Sequence, residues 1–343
     1  MREALRVRHV LAVSNCTAAL HLALGALELA PGDEVIVPSL TYVSSAQAIL
    51  AAGGKPVFCD VGEQDLLASP EDVARCVTPR TRAVVLVHYG GRVCDVAGVR
   101  RTLGSSSIRI VEDAAHAFGS VSGAGPAGSL GDVGCLSFDP IKNITCVEGG
   151  AVATNDDEIA AKVRLRRNTG IDSDSWRRAG KDRPWHYEVH DRGLRYLMPN
   201  LNAAVGLVQM GKFERFRARR LAIVRRYDNA LRGLPGILTL RHDPDGAVPF
   251  NYTLRVIDGR RDELEQFLRE RGVGSWVHFI PCHSQPLFSR ESVRLPVTEK
   301  IYPEILCLPL HCELSDSDVE EVIAAVTEFV TTGATCRTRN AAS

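Results

Sequence analysis

Six short runs limit what this chain can fold into: EVIVP (34–38), KPVFCDV (55–61), RAVVLVHYG (82–90), IRIVEDAAH (108–116), GCLSF (134–138) and GGAVATN (149–155). Each carries an apolar, largely β-branched centre with no alternation of wet and dry positions, the pattern of a strand buried on both faces. Helix-like or loop segments separate the runs, the clearest being TAALHLALGALELA (17–30), whose apolar residues fall on most positions. Buried strands alternating with helices predict an α/β fold around a mostly parallel sheet covered on both sides.

At 343 residues the chain exceeds one ordinary core, so a large domain plus a smaller one is expected. Texture changes around residues 205–235, a strongly basic helical run read as a solvated helix face. Beyond it, NYTLRVI, RDELEQFLRERG and SWVHFI read as strand, helix and strand, and SDSDVEEVIAAVTEFV as a last helix capped by Ser315 or Asp316. The expected division is a large domain over 1–235, a small C-terminal α+β domain over 236–330, and a disordered tail over 331–343.

Lys plus Arg and Asp plus Glu number 41 each, so no global field attracts nucleic acid or an anionic membrane, and neither is expected as a partner. Ten cysteines are scattered singly, without metal-ligand spacing; buried free thiols in a reducing compartment, and no metal, are the expectation. The N-terminus, MREALRVRHVLAVSN, lacks the apolar run of a secretory signal, and the predicted location is the cytoplasm.

Ligands of open α/β sheets collect beyond the carboxyl ends of the strands, where three polar features fall. SNCTAAL (14–20) enters a helix with Thr17 in its first turn, either a plain N-cap or a phosphate site favoured by free amides and the helix dipole. VEDAAHAFG ends a strand with Asp113 and His116; the aspartate is either a backbone cap or the partner of a buried cation, and the histidine either a core residue or a ligand group. Lys142, in SFDPIKNITCVEGG, is either an ordinary solvated lysine or an amine made reactive by burial. Together, a phosphate-ready helix start, a strand-end aspartate and a later lysine describe a site for pyridoxal 5′-phosphate.

The stretches SNCTAALHLAL, PGDEVIVPSLTYVSSAQAI, PVFCDV, VHYGG, EDAAHAFGS, GDVGCLSFDPIKN, EGGAVATND and LPVTEKIYPEILCLPLH, in this order, resemble the DegT/DnrJ/EryC1/StrS family of pyridoxal-phosphate sugar aminotransferases. The resemblance runs from about residue 10 to 328. It implies a fold-type I, aspartate-aminotransferase-like transferase acting as a homodimer with composite active sites. The implied reaction is a two-half transamination in amino-sugar biosynthesis, for an antibiotic or a polysaccharide. Glutamate would supply the amino group, and a nucleotide-linked 3- or 4-keto-hexose would accept it. An inosose aminotransferase and a non-catalytic homologue are the alternatives. A dehydratase branch, in which histidine replaces the lysine, is disfavoured by Lys142.

By position, the resemblance implies that Lys142 is the Schiff-base lysine and proton carrier, Asp113 the partner of the pyridine nitrogen, and His116 a residue against the cofactor. Tyr42 would stack on the cofactor ring, and Thr17, Ala18 and Ser137 would cradle its phosphate. Arg195 would reach the phosphate of the partner subunit's cofactor in place of the usual asparagine, and Leu197 stands where the family has arginine. Val147 replaces a more usual glycine. Arg166, Arg167 and His278 are placed at the mouth as polar or positive groups for a nucleotide diphosphate. The chain also begins later than typical members, whose N-terminal helix and Gly-containing loop lie near the site.

Overall fold

The computed structural model describes residues 1–340 apart from 105–106, 173–184, 242, 244–245 and 290–292, with side chains through residue 332. Seven strands form the main sheet: β1 (His9–Val13), β2 (Glu34–Pro38), β3 (Lys55–Cys59), β4 (Thr81–Val87), β5 (Arg109–Asp113), β8 (Val133–Ser137) and β9 (Gly150–Thr154). A two-stranded hairpin, β6 (Val121–Ser122) and β7 (Gly125–Pro126), stands apart. The order is β1-β9-β8-β5-β4-β2-β3. From β3 to β8 all pairings are parallel, while β9 runs antiparallel to both β8 and β1.

The continuously apolar runs are the strands, and β2, β8 and β9 are buried at every position. That burial follows from cover on both faces, supplied in part by α2 (Cys16–Ala26). The alanine- and leucine-rich sequence of α2 buries eight of its eleven residues, Cys16, Ala18, Ala19, Leu20, Leu22, Ala23, Leu24 and Ala26. Shorter helices α3 (Ser44–Ala51), α4 (Pro70–Ala74), α5 (Val96–Leu103) and α6 (Asp157–Arg166) connect or flank the strands.

After α7 (Asn200–Met210), the long α8 (Phe213–Leu231) leads to a three-stranded antiparallel sheet of β10 (Ile237–Thr239), β11 (Tyr252–Val256) and β12 (Ile305–Leu308). Ile223, Val224, Tyr227 and Leu231 of α8 join a second core with Tyr252 and Leu254, α9 (Arg261–Glu270) and α11 (Asp316–Asn340). This core therefore begins upstream of residue 235. Ser315 and Asp318 cap α11 reciprocally, and the helix continues through 331–340, where a frayed tail is expected. Residues 341–343 lie outside the described residues.

Two sequence readings need correction here. SWVHFI forms only one bridge, Trp276 to Cys307, because its side chains turn to line cavities instead of extending the ladder. The basic run is not simply a wet face. Arg219 and Arg226 pair with Asp316 at the start of α11, and Arg220 is buried, donating to the carbonyls of Phe250 and Leu310 at 3.0 and 3.1 Å.

Asp60, at the end of PVFCDV, joins the two halves. Its buried carboxylate accepts from the amides of Val297 and Thr298 at 2.9 and 2.7 Å and from the Thr298 hydroxyl at 2.6 Å, capping α10 (Pro296–Ile301).

Candidate active site

A cavity of about 440 Å³ lies beyond the carboxyl ends of β4, β5 and β8 and beside the start of α2. Asn15 caps that helix, its Oδ1 accepting from the Ala18 amide at 2.9 Å. The double glycine at the start of β9 makes the packing here possible. A Cβ on Gly150 would come within 2.5–2.8 Å of Asn15 backbone atoms and the Cys16 nitrogen, a separation real Cβ atoms do not show.

Lys142 sits at the turn of the loop joining β8 to β9, where its amide donates to the Asp139 carbonyl at 3.0 Å. The loop is closed below by Phe138, whose amide and carbonyl bond Gly149 and Cys146 at 2.8 and 2.9 Å. The side chain is half-buried, with Nζ 4.4 Å from the centroid of the Phe250 ring. Burial pushes the ammonium below the usual lysine range, against an opposing pull from Cys16, Asp113 and Asp139.

Asp113 ends β5, its buried carboxylate accepting from the Ser45 hydroxyl at 2.7 Å and the Ala115 amide at 3.1 Å. Ser45 is itself 2.9 Å from the Thr41 hydroxyl. His116 stacks on Phe250, centroids 4.0 Å apart and planes 17° from parallel. Burial, with Lys142 and His278 adding to it, holds His116 well below the ordinary histidine range. The neighbouring Glu112 faces away, taking the amides of Gly128, Leu130 and Gly131 and the ring of His88 at 2.6–2.8 Å. It fixes the loop before β8.

Thr17, Tyr42, Asp113, His116, Ser137, Lys142 and His278 thus share one cavity. Tyr42 stands exposed at its edge, 5.6 Å from the Phe279 ring, and the Thr17 hydroxyl is 2.9 Å from that of Ser44. Ala18 and Arg195 are not brought to the cavity of their own chain: the Ala18 amide is held by Asn15, and Arg195 is exposed on an isolated bridge to Asn168. Asp191 pairs with Arg166 and Glu188 with His190.

The proposed diphosphate cations are also corrected. Arg166 is spent on Asp191, Glu28 and the Gly25 carbonyl, and Arg167 donates to the Ala12 carbonyl at 2.6 Å. His278 does line the cavity, but burial, with Lys142 adding to it, lowers its pKa to about 4, so it brings no positive charge at neutral pH. Ser45, Phe250 and Phe279 escaped the sequence reading. The last two come from the C-terminal half, and only tertiary packing carries them here.

The chain matches the DegT/DnrJ/EryC1/StrS aminotransferase family over residues 1–327. It belongs to that family. It is 37% identical over 333 residues to the spore coat polysaccharide biosynthesis protein SpsC of Bacillus subtilis (strain 168), covering 94% of this chain and 86% of that protein. The crystal structure of the aminotransferase TlmJ from Streptoalloteichus hindustanus superposes with a TM-score of 0.90 at 35% identity, covering 97% of this chain and 89% of TlmJ. The putative sugar aminotransferase Spr1654 from Streptococcus pneumoniae, in its PMP form, superposes with a TM-score of 0.88 at 27% identity over 96% of this chain and 90% of its own; its PLP form is also similar. Like the other DegT/DnrJ/EryC1/StrS aminotransferases, this protein is a pyridoxal-phosphate-dependent transaminase of the aspartate-aminotransferase-like fold acting in sugar chemistry.

Proposed function

We propose that the protein transfers an amino group from glutamate to a nucleotide-linked 3- or 4-keto-hexose, with Lys142 and Asp113 as its catalytic pair. The observation that carries this reading is their convergence on one cavity, a half-buried amine of lowered pKa beside a buried carboxylate met, among the described residues, by two neutral donors. A buried carboxylate so sparsely met is matched to a cation, and a protonated pyridine nitrogen fits it. The start of α2, with Thr17 and Ser137, suits a phosphate.

Pyridoxal phosphate bound there supplies an electron sink and carries the amino group between the two halves of the reaction. Lys142 Nζ takes the proton from the amine-bearing carbon of the donor and returns one to the carbon aminated in the acceptor, a task eased by an amine that loses its own proton readily. Asp113 keeps the ring nitrogen protonated, and Ser45 orients its carboxylate. His116, stacked on Phe250, packs against the cofactor as an uncharged ring.

The working form in this reading is a cytoplasmic homodimer with composite sites. On α7, Leu201 and Leu207 are 77% and 76% exposed, and no residue of that helix is buried within the chain, which suits a face covered by a second copy. Nine described cysteines are unpaired and seven of them are buried, as suits a reducing compartment. No helix among the described residues is long and apolar enough to cross a membrane.

The test is a screen of nucleotide keto-sugars and inososes with glutamate and glutamine as donors. Glutamate-dependent amination of a 3- or 4-keto nucleotide sugar is the expected result. Turnover of inososes alone, or of neither class, overturns the proposal.

A further inference from the structure

A second cavity of about 720 Å³ adjoins the first, and Ile141, Lys142, Phe250 and His278 line both. His278 therefore stands on the partition between them, opposite the amine. Its backbone carbonyl accepts from the buried Tyr89 hydroxyl, and its ring lies 4.8 Å from that of Phe279. The Nδ1 atom meets the side-chain amide nitrogen of Asn251 at 3.3 Å. Asn251 is 5% exposed. The amide nitrogen, which can only donate, faces the imidazole, and the amide oxygen is buried with no hydrogen-bond partner among the described residues. A ring nitrogen that accepts from Asn251 carries no proton. The proton of the uncharged ring is then on Nε2, which bonds to no described residue.

We infer that Asn251 fixes His278 as a neutral Nε2–H donor for an uncharged oxygen, a hydroxyl or the carbonyl, of the amino acceptor. This rests on the sugar-aminotransferase reading above. The donor amino acid is a poorer match, since its carboxylate calls for a cation and the ring next to Lys142 is uncharged at neutral pH. Asn251 acts through His278 and is a positioning residue.

Two measurements on the cofactor-loaded enzyme test this. In protein labelled with ¹⁵N-histidine, His278 should show protonated Nε2 and bare Nδ1 at pH 7, and Asn251→Leu should mix the tautomers. A His278 proton on Nδ1 in the unsubstituted enzyme overturns the inference. In single-turnover experiments on the separate half-reactions, His278→Leu should weaken acceptor binding about three- to tenfold, the worth of one neutral hydrogen bond, and leave the donor half-reaction near its original rate. His278→Gln, whose amide reaches the Nε2 position, should recover most of the loss. Equal damage to both halves, or no rescue by glutamine, also overturns it. If no keto-sugar nucleotide is aminated at all, the sugar reading fails, while the tautomer measurement still decides whether Asn251 sets the ring.

Discussion

The Lys142 ammonium lies 4.4 Å from the centre of the Phe250 ring, and the same ring stacks on His116 at 4.0 Å. Phe250 comes from the segment before β11, in the C-terminal half. An aromatic side chain from one half of the fold thus helps to bury the Lys142 amine carried by the other.

If Lys142 is the amine that holds the cofactor, the purified protein with pyridoxal phosphate is yellow, and borohydride reduction attaches the cofactor to a single peptide. Peptide mapping should find the label on Lys142 and no label in Lys142→Ala. A label on another lysine removes the assignment.

Phe250→Ala admits water to the amine. Because burial is what lowers the Lys142 pKa, wetting it should raise that pKa towards the ordinary lysine value of about 10.4. In cofactor-free protein, the pH profile of reductive methylation at Lys142 should move to higher pH. An unchanged profile means that burial by Phe250 is not the cause.

Asp113→Asn keeps the size of the side chain and its contact with Ser45 but removes the negative charge. The half-reaction with glutamate should slow by orders of magnitude while cofactor capture survives. Stopped-flow absorbance on a single turnover measures both, and a near-unchanged rate excludes Asp113 from the role.

Val147 has φ of 72° and is 57% exposed. A β-branched residue in left-handed backbone costs about 1–2 kcal/mol, and the greater freedom of glycine in the unfolded chain returns about 0.5–1 of that. Val147→Gly should therefore stabilise the protein by roughly 0.5–1 kcal/mol, read from the midpoint of denaturant unfolding. A lower midpoint refutes the strain argument.

Arg195 is exposed and absent from the lining of its own chain's cavity, and in the proposed homodimer the phosphate that it would meet is the partner's. Mixing inactive Lys142→Ala with inactive Arg195→Glu under subunit exchange tests this. Half the dimers are then mixed, and each has one site with both lesions and one with neither, so activity should return to about a quarter of wild type. Mixed dimers without activity would put both residues in the same chain's site.

The parallel strands were legible because most of them are buried on both faces, so each strand's own sequence carries the signal. Asp113 and Lys142 could be read as candidates because ionisable groups beside apolar runs are costly without a purpose. Arg220 was misread because nothing local marks it for burial; the carbonyls that receive it belong to Phe250 and Leu310. Trp276 to Phe279 looked like a strand for a related reason. An apolar run says that a segment leaves water, but not whether it enters a ladder or walls a cavity. The disagreement over His278 is electrostatic, since the residue type suggests a cation and the surroundings remove the charge.

The order of the main sheet also governs when its parts can assemble. Among the described residues, residues 9–13 pair in the sheet with residues 150–154 alone, whereas β2, β3, β4 and β5 hydrogen-bond among themselves. As the polypeptide leaves the ribosome, the central parallel strands meet their neighbours early, while β1 must wait, edge uncovered, until β9 emerges. Translation that stalls before residue 150 would leave a nascent chain with β1 unzipped, the form most exposed to chaperones and to aggregation.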